Sequence, residues 1–301
     1  MLRFAASFAI FCASAYAQHP GAENWAAQSP SRYAVRANVT YGTYNNVEVK
    51  LDAYLRRDVQ GPQPALIFIH GGGWILGTKE ASVTSILPWL EMGWNVFNVE
   101  YRLAKVSLAP AAVEDCQCAL RFIADHAKEY NVDVTRMVAA GESAGGHLAL
   151  TTGMIPASAG FERECPGGGF TTGGANDLPK VAAILDWYGI TDLNDMLSGP
   201  NQRGYAVAWF GALPNAQELA RKVSPLTYVR RDVPPILIIH GDADPIVPYS
   251  QATRLRDALS TAGARSDMYT VHGGGHGNYS AEERVKIYEK IHEFLAKYKV
   301  M

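Results

Sequence analysis

The 301-residue chain lacks several features that would mark common functions. Charge is nearly balanced, with 27 Lys and Arg against 29 Asp and Glu, a net of -2, and no basic block interrupts that balance. A nucleic-acid backbone would find no footing on it. Past the first residues, no uncharged apolar run reaches the roughly 20 residues that cross a bilayer. No Gly-Lys-Ser/Thr follows a glycine-rich turn, and no G-x-G-x-x-G opens a helix, which excludes a phosphate loop and a dinucleotide fingerprint. There is no internal repeat. Cysteines number four, at spacings unlike a zinc site. What is present is apolar: 48% of residues are hydrophobic, enough for a core and too many for disorder. The 28 glycines fall largely in clusters, as shaped loops require.

Residues Met1–Ala17 read as an export signal. Arg3 supplies a positive start, Leu2 and Phe4–Cys12 a short apolar stretch, and Ala15-Tyr16-Ala17 a cleavage site before Gln18. The expected mature chain is a single domain over residues 18–301, secreted or periplasmic, with no membrane contact after cleavage. Three cysteines remain. Cys116 and Cys118 are two apart on an expected helix and point apart. Either could meet Cys165, but three unpaired buried thiols is the reading taken.

Apolar patterning places strands at Val47–Tyr54, Ala65–His70, Trp94–Tyr101, Arg136–Ala140, Val181–Trp187, Ile236–His240 and Asp267–Val271. Helices are expected at Lys79–Met92, Pro110–Tyr130, Ala144–Thr152, Ser250–Thr261 and Ala281–Lys299. The last would face inward with Val285, Tyr288, Ile291, Leu295 and Tyr298. Uninterrupted runs such as ALIFI fit strands buried on both faces. Strands alternating with helices predict an α/β fold, a mainly parallel sheet with helices on both faces. Function then collects at the C-terminal ends of the strands. Pro156–Leu178 reads as a surface loop. Residues 190–224 read as a cap-like insertion over the site, irregular with a short helical piece.

Four loops at that edge carry chemistry. Gly141-Glu142-Ser143-Ala144-Gly145 lies between a strand and a helix, the setting in which G-x-S-x-G exposes a nucleophilic serine. The strained turn leaves little room for a Cβ two positions either side of Ser143. His70-Gly71-Gly72-Gly73 can turn backbone N–H groups inward. With the Ala144 N–H they would hold an oxyanion. His70 itself is expected to order this loop. A serine needs a base, and the base a carboxylate. Asp242 or Asp244 after one strand, and His272 or His276 after the last, are the candidates. Asp244 is favoured because it lies further along its loop, and His276 because its glycine-rich loop can fold back over Ser143. A zinc pair from His272 and His276 is not expected, since three glycines rather than a helix separate them.

These residues resemble the α/β-hydrolase esterase and lipase families that pair H-G-G-G with G-[DE]-S-A-G-G. Residues 181–193 (VAAILDWYGITDL), Ser224-Pro225 and HGDADPIVP are similar to bacterial feruloyl- or acetyl-esterase-like proteins. The resemblance implies Ser143 as nucleophile, His276 as base, Asp244 as its orienting acid, and Gly72, Gly73 and Ala144 as oxyanion donors. It implies no metal and no organic cofactor. Glu142 stands where the hormone-sensitive-lipase-like branch commonly has Asp, and the segment before His70 is shorter than that branch's cap.

The reaction expected is ester hydrolysis through an acyl-enzyme, on a small-molecule or carbohydrate ester carrying acetyl or feruloyl groups. Trp74, Trp187, Tyr188 and Trp209 are candidate walls for a sugar or aromatic group. Rival readings are an arylformamidase-like amidase, a peptidase, a lipase and a non-catalytic binding module. Residues 190–224 carry Asp192, Asp195, Arg203 and Arg221, too polar for a lipase lid. Oligomeric state is not legible in the sequence.

Overall fold

In the computed structural model, residues 22–163, 165–166 and 179–301 are described. The Met1–Ala17 segment and most of the Pro156–Leu178 loop lie outside them. Helix α1 (Ala22–Arg32) leads into a hairpin of β1 (Tyr33–Tyr44) and β2 (Val47–Arg56). Asn45 and Asn46 turn it at positive φ, 49 and 65, a backbone that asparagine tolerates best among residues with a Cβ. The sequence reading had no counterpart for α1 or β1. The middle of β1 is mostly exposed, so it carries no apolar alternation to find.

The remaining strands are β3 (Gln63–Ile69), β4 (Asn95–Val99), β5 (Val132–Glu142), β6 (Ala183–Trp187), β7 (Ile236–Gly241) and β8 (Ser266–Val271). The helices between them are α2 (Val83–Glu91), α3 (Ala111–Asp125) and α4 (Ala144–Met154), then α5 (Leu193–Leu197), α6 (Gly204–Phe210) and α7 (Ala216–Val223). Helices α8 (Ser250–Thr261) and α9 (Ala281–Lys297) complete the fold. The eight strands form one sheet in the order β1-β2-β4-β3-β5-β6-β7-β8. Only the β1–β2 and β2–β4 pairs are antiparallel; the other five are parallel. This is the expected α/β architecture. Residues 190–224 hold three short helices where one was expected.

Alternating side chains of the inner strands feed two cores. Ile67, Ile69, Met137, Ala139, Ile184 and Ile238 share one with α3, α4 and α8. Leu66, Phe68, Val138, Ala140, Leu185 and Ile239 share the other with Trp89 of α2 and Ile291 of α9. Fully burying such a side chain contributes roughly 1.5–3 kcal/mol. On α9 the inner face is Ile287, Ile291, Phe294 and Leu295. Val285, expected inside, is 58% exposed, because it lies on the far side of that four-residue stripe.

Cys118 and Cys165 form a disulfide, and Cys116 is the buried free thiol. This corrects the expectation of three thiols. Two positions apart on α3, the cysteines project about 200° apart, so only one of them can face the segment after α4.

Candidate active site

Strand β5 ends at Glu142 and α4 begins at Ala144, so one residue makes the turn. That residue, Ser143, has φ 58 and ψ -119, a strained conformation for a side-chain-bearing residue. Its N–H donates to the Trp187 carbonyl at 2.8 Å. Neighbouring strands crowd the turn. A Cβ on Gly145 would lie 2.0 Å from the Ile69 carbonyl oxygen, and one on Gly141 2.3 Å from that of Gly145. The two glycines therefore let β3, β5 and α4 close together, and Ser143 is lifted to the sheet edge at a helix N-terminus. That end of a helix favours negative charge.

The loops after β7 and β8 bring the other two candidates there. The Ser143 hydroxyl donates to His276 Nε2 at 2.9 Å, and His276 Nδ1–H donates to Asp244 Oδ2 at 2.7 Å. The two bonds assign the tautomer. Asp244 Oδ1 accepts the N–H groups of Ile246 and Val247 at 2.8 and 3.0 Å. Burial of Asp244 works against its charge, but the imidazoles of His240 and His276 outweigh it and hold the carboxyl well below the usual range. The other pair stays apart. His272 is 87% exposed and bonds Asp242 at 2.8 Å.

Gly72 and Gly73 line the pocket in front of Ser143. Both have positive φ, and a Cβ on Gly72 would sit 1.9 Å from the Leu76 carbonyl oxygen. The loop is anchored from behind. The buried His70 ring stacks on Tyr101 at 4.3 Å and its Nδ1–H bonds the Gly71 carbonyl at 2.7 Å. Desolvation pushes its pKa down to about 4, so it stays neutral and orders the loop. Ala144, first residue of α4, has an N–H without an intrahelical partner. Ser143, His276 and the Gly71–Gly73 loop thus line one cavity of about 480 Å³, with Asp244 buried behind His276.

The aromatic expectations need correction. Of the four candidates, only Tyr188 lines the cavity, its ring edge-on to His276 at 4.7 Å. Trp74 and Trp209 are fully buried and stacked on each other at 4.3 Å. Trp74 donates from Nε1 to His147 Nδ1 at 3.2 Å, and His147 donates from Nε2 to the Val223 carbonyl at 2.8 Å. This cluster fastens the chain just after the glycine loop to α4 and to the inserted helices. Trp187 is buried on the other face of the sheet, against Tyr288. Trp74 follows the glycine loop, Trp187 ends β6 and Trp209 lies in the insertion, but their indoles are large apolar bodies and the core claims them. The walls that the sequence did not reveal are Ile75, Leu76, Tyr205, Ile246 and Glu142. Leu76 and Ile246 are exposed, so no burial pattern marks them. Burial raises the Glu142 carboxyl, partly offset by the Ser85 hydroxyl at 3.1 Å. Among the described residues no cluster of His, Cys, Asp and Glu could hold a metal ion.

The chain is similar in sequence and fold to known proteins. The BD-FAE family model matches residues 51–259, more than half of the chain. Esterase LipC of Mycobacterium tuberculosis is 29% identical over 82% of this chain and 60% of its own length. The chain therefore spans less than two thirds of that relative. The acetyl esterase of Salmonella paratyphi B is 30% identical over 75% of this chain and 68% of its own. A solved truncated form of a carbohydrate esterase from gut microbiota is similar at TM-score 0.74 and 27% identity, over 90% of this chain and 98% of that one. The chain belongs to the BD-FAE family of α/β-hydrolase-fold esterases.

Proposed function

We propose that the protein is a serine carboxylic-ester hydrolase that works through an acyl-enzyme. The observation that carries this reading is the unbroken line from the Ser143 hydroxyl through His276 to Asp244, at 2.9 and 2.7 Å. In the proposed reaction His276 Nε2 takes the hydroxyl proton as Oγ attacks the ester carbonyl. Asp244 steadies the imidazolium that forms. The N–H groups of Gly72, Gly73 and Ala144 receive the developing oxyanion, a role worth roughly a hundred- to a thousandfold per donor. His276 then gives its proton to the leaving alcohol, and water repeats the cycle on the acyl group.

The proposed substrate is an acylated carbohydrate, releasing acetate or ferulate. A cavity of about 480 Å³ is in the range that holds small ligands. Its walls, Ile75, Leu76, Tyr188, Tyr205 and Ile246, suit an acyl group, while the open side leaves room for a bulky alcohol. The similar carbohydrate esterase and acetyl esterase add support. Export is also proposed, on the Met1–Ala17 pattern, and a Cys118–Cys165 disulfide is compatible with an oxidising compartment. Among the described residues no helix is long and apolar enough to cross a membrane.

The test is a substrate panel with fluorophosphonate labelling. Wild type should label at Ser143 and hydrolyse nitrophenyl acetate, methyl ferulate and acetylated xylan, and Ser143→Ala should do neither. Turnover undiminished in Ser143→Ala would end the mechanism. Fast cleavage of formylkynurenine with no ester turnover would replace the esterase by an amidase.

A further inference from the structure

Behind the three proposed catalytic side chains lies a second imidazole. His240, on β7, is fully buried, and its Nε2 is 3.3 Å from Asp244 Oδ2, the same oxygen that accepts from His276. The Nε2–H also reaches the Val247 carbonyl at 3.1 Å. Val247 is one of the two residues whose amides hold Asp244 Oδ1. His240 therefore touches both the carboxylate and the loop that cradles it.

The other side of the ring makes no use of its polarity. His240 Nδ1 is buried without a hydrogen-bond partner, and so is Oδ2 of Asp186. Asp186 pairs in register with Ile238 on the adjacent strand, so His240, two residues on, projects from the same face of the sheet. Its other oxygen accepts the Gly189 N–H at 2.9 Å. Each unpartnered buried polar group is destabilising, because its lost hydration is not repaid. An apolar side chain would avoid that cost, so packing alone does not account for an imidazole here. The rings of Tyr188 and Tyr249 stand edge-on to it at 6.4 and 5.8 Å, and hold the ring in one orientation.

We propose that His240 is a positioning residue for the reaction: its Nε2–H fixes Asp244, and through Asp244 the angle at which His276 meets Ser143. The inference rests on the serine-hydrolase reading. Asp244 Oδ2 accepts from His276 and lies against the His240 Nε2, while two backbone N–H groups hold its other oxygen. The His240 contact is the one that stops Oδ2 from swinging away when His276 moves its proton. Misplacing a catalytic group by an ångström can cost about a hundredfold.

Glutamine and asparagine separate this role from a structural one. Gln places an amide N–H near the imidazole Nε2 position, whereas Asn reaches only the Nδ1 position. For nitrophenyl acetate, His240→Gln should stay within about threefold of wild type. His240→Asn should lose about ten- to a hundredfold in kcat with KM within about twofold. The two variants should have similar Tm, and fluorophosphonate labelling should slow in parallel with kcat. His240→Phe fills the ring's space without a donor and should match Asn; it serves where Asn leaves the core too loose to fold. An active wild type in which Gln, Asn and Phe all lose the same activity, or none, overturns the inference alone. A wild type that neither labels nor turns over ester overturns the serine-hydrolase reading beneath it.

Discussion

His272 holds Asp242 at 2.8 Å across the same two loops from which His276 holds Asp244 at 2.7 Å. The pairs differ in surroundings. Asp242 also accepts the Gly273 N–H at 2.7 Å and stays at the surface. Asp244 has a side chain with no exposed surface. A contact this open to solvent is screened and orients little. Asp244→Asn should therefore lower kcat by about 10⁴, as loss of an orienting carboxylate does in serine hydrolases. Asp242→Asn should stay within about threefold. Steady-state kinetics on nitrophenyl acetate decide it, and equal losses in the two variants would contradict the assignment.

Gly145 tests the turn. A methyl there would overlap the Ile69 carbonyl oxygen at 2.0 Å and that of His70 at 2.6 Å. Neither is a flexible side chain, so strands must part. Gly145→Ala should drop Tm by about 5 °C or more, about 3 kcal/mol or worse for a chain of this length, or leave the protein insoluble. A variant with wild-type Tm and activity would mean that β3 and α4 are not so closely packed.

Acid should weaken the fold through buried histidines. Desolvation holds His70 and His147 down to about 4. Their folded values lie below the unfolded one near 6.5, so each contributes stability that is full above 6.5 and lost as pH falls toward 4. The shift is worth roughly 3 kcal/mol for each group. Asp186 works the other way. Burial raises it to about 6, so its contribution is full below the unfolded carboxyl value and lost as pH rises through about 6. His147→Gln isolates one group. Its stability deficit against wild type, measured by urea melts, should shrink by roughly 3 kcal/mol between neutral pH and pH near 4. A deficit independent of pH would mean that His147 is not held neutral.

The Cys118–Cys165 bond closes a loop of 47 residues. Chain entropy alone puts that at roughly 4 kcal/mol. Cys118→Ser or reduction should lower Tm by about 6 °C. Cys116→Ser should not reproduce the effect of reductant. Thiols at both Cys118 and Cys165 in the denatured, unreduced protein would rule the bond out.

Much of the site could be read in advance because it sits in short motifs with backbone demands. Gly141 and Gly145 flank Ser143 for a steric reason, and the same reason appears in the fold as carbonyl oxygens 2.0–2.3 Å from their missing methyls. Strands such as Ala65–Ile69 announce themselves because both faces are covered. Helix Ser250–Thr261 was legible to the residue. Edge strand β1 was not, since exposed residues need no apolar alternation. Trp74, beside the glycine loop, and Trp209, in the insertion, were misplaced for a related cause: place in the sequence says nothing about which way a large ring turns.

The order of chemical groups along the chain, and the local strain each can bear, are written in the residues themselves. They name Ser143, the two acids and the two histidines, and they require a sheet edge for them. Which acid meets which histidine is a matter of distance between loops 30 residues apart, and only the packed sheet sets that distance. The same holds for His240, an ordinary strand residue in sequence. Burial beside Asp244 turns its Nε2–H into a contact on the carboxylate, because in a closed core no water is available to take its place.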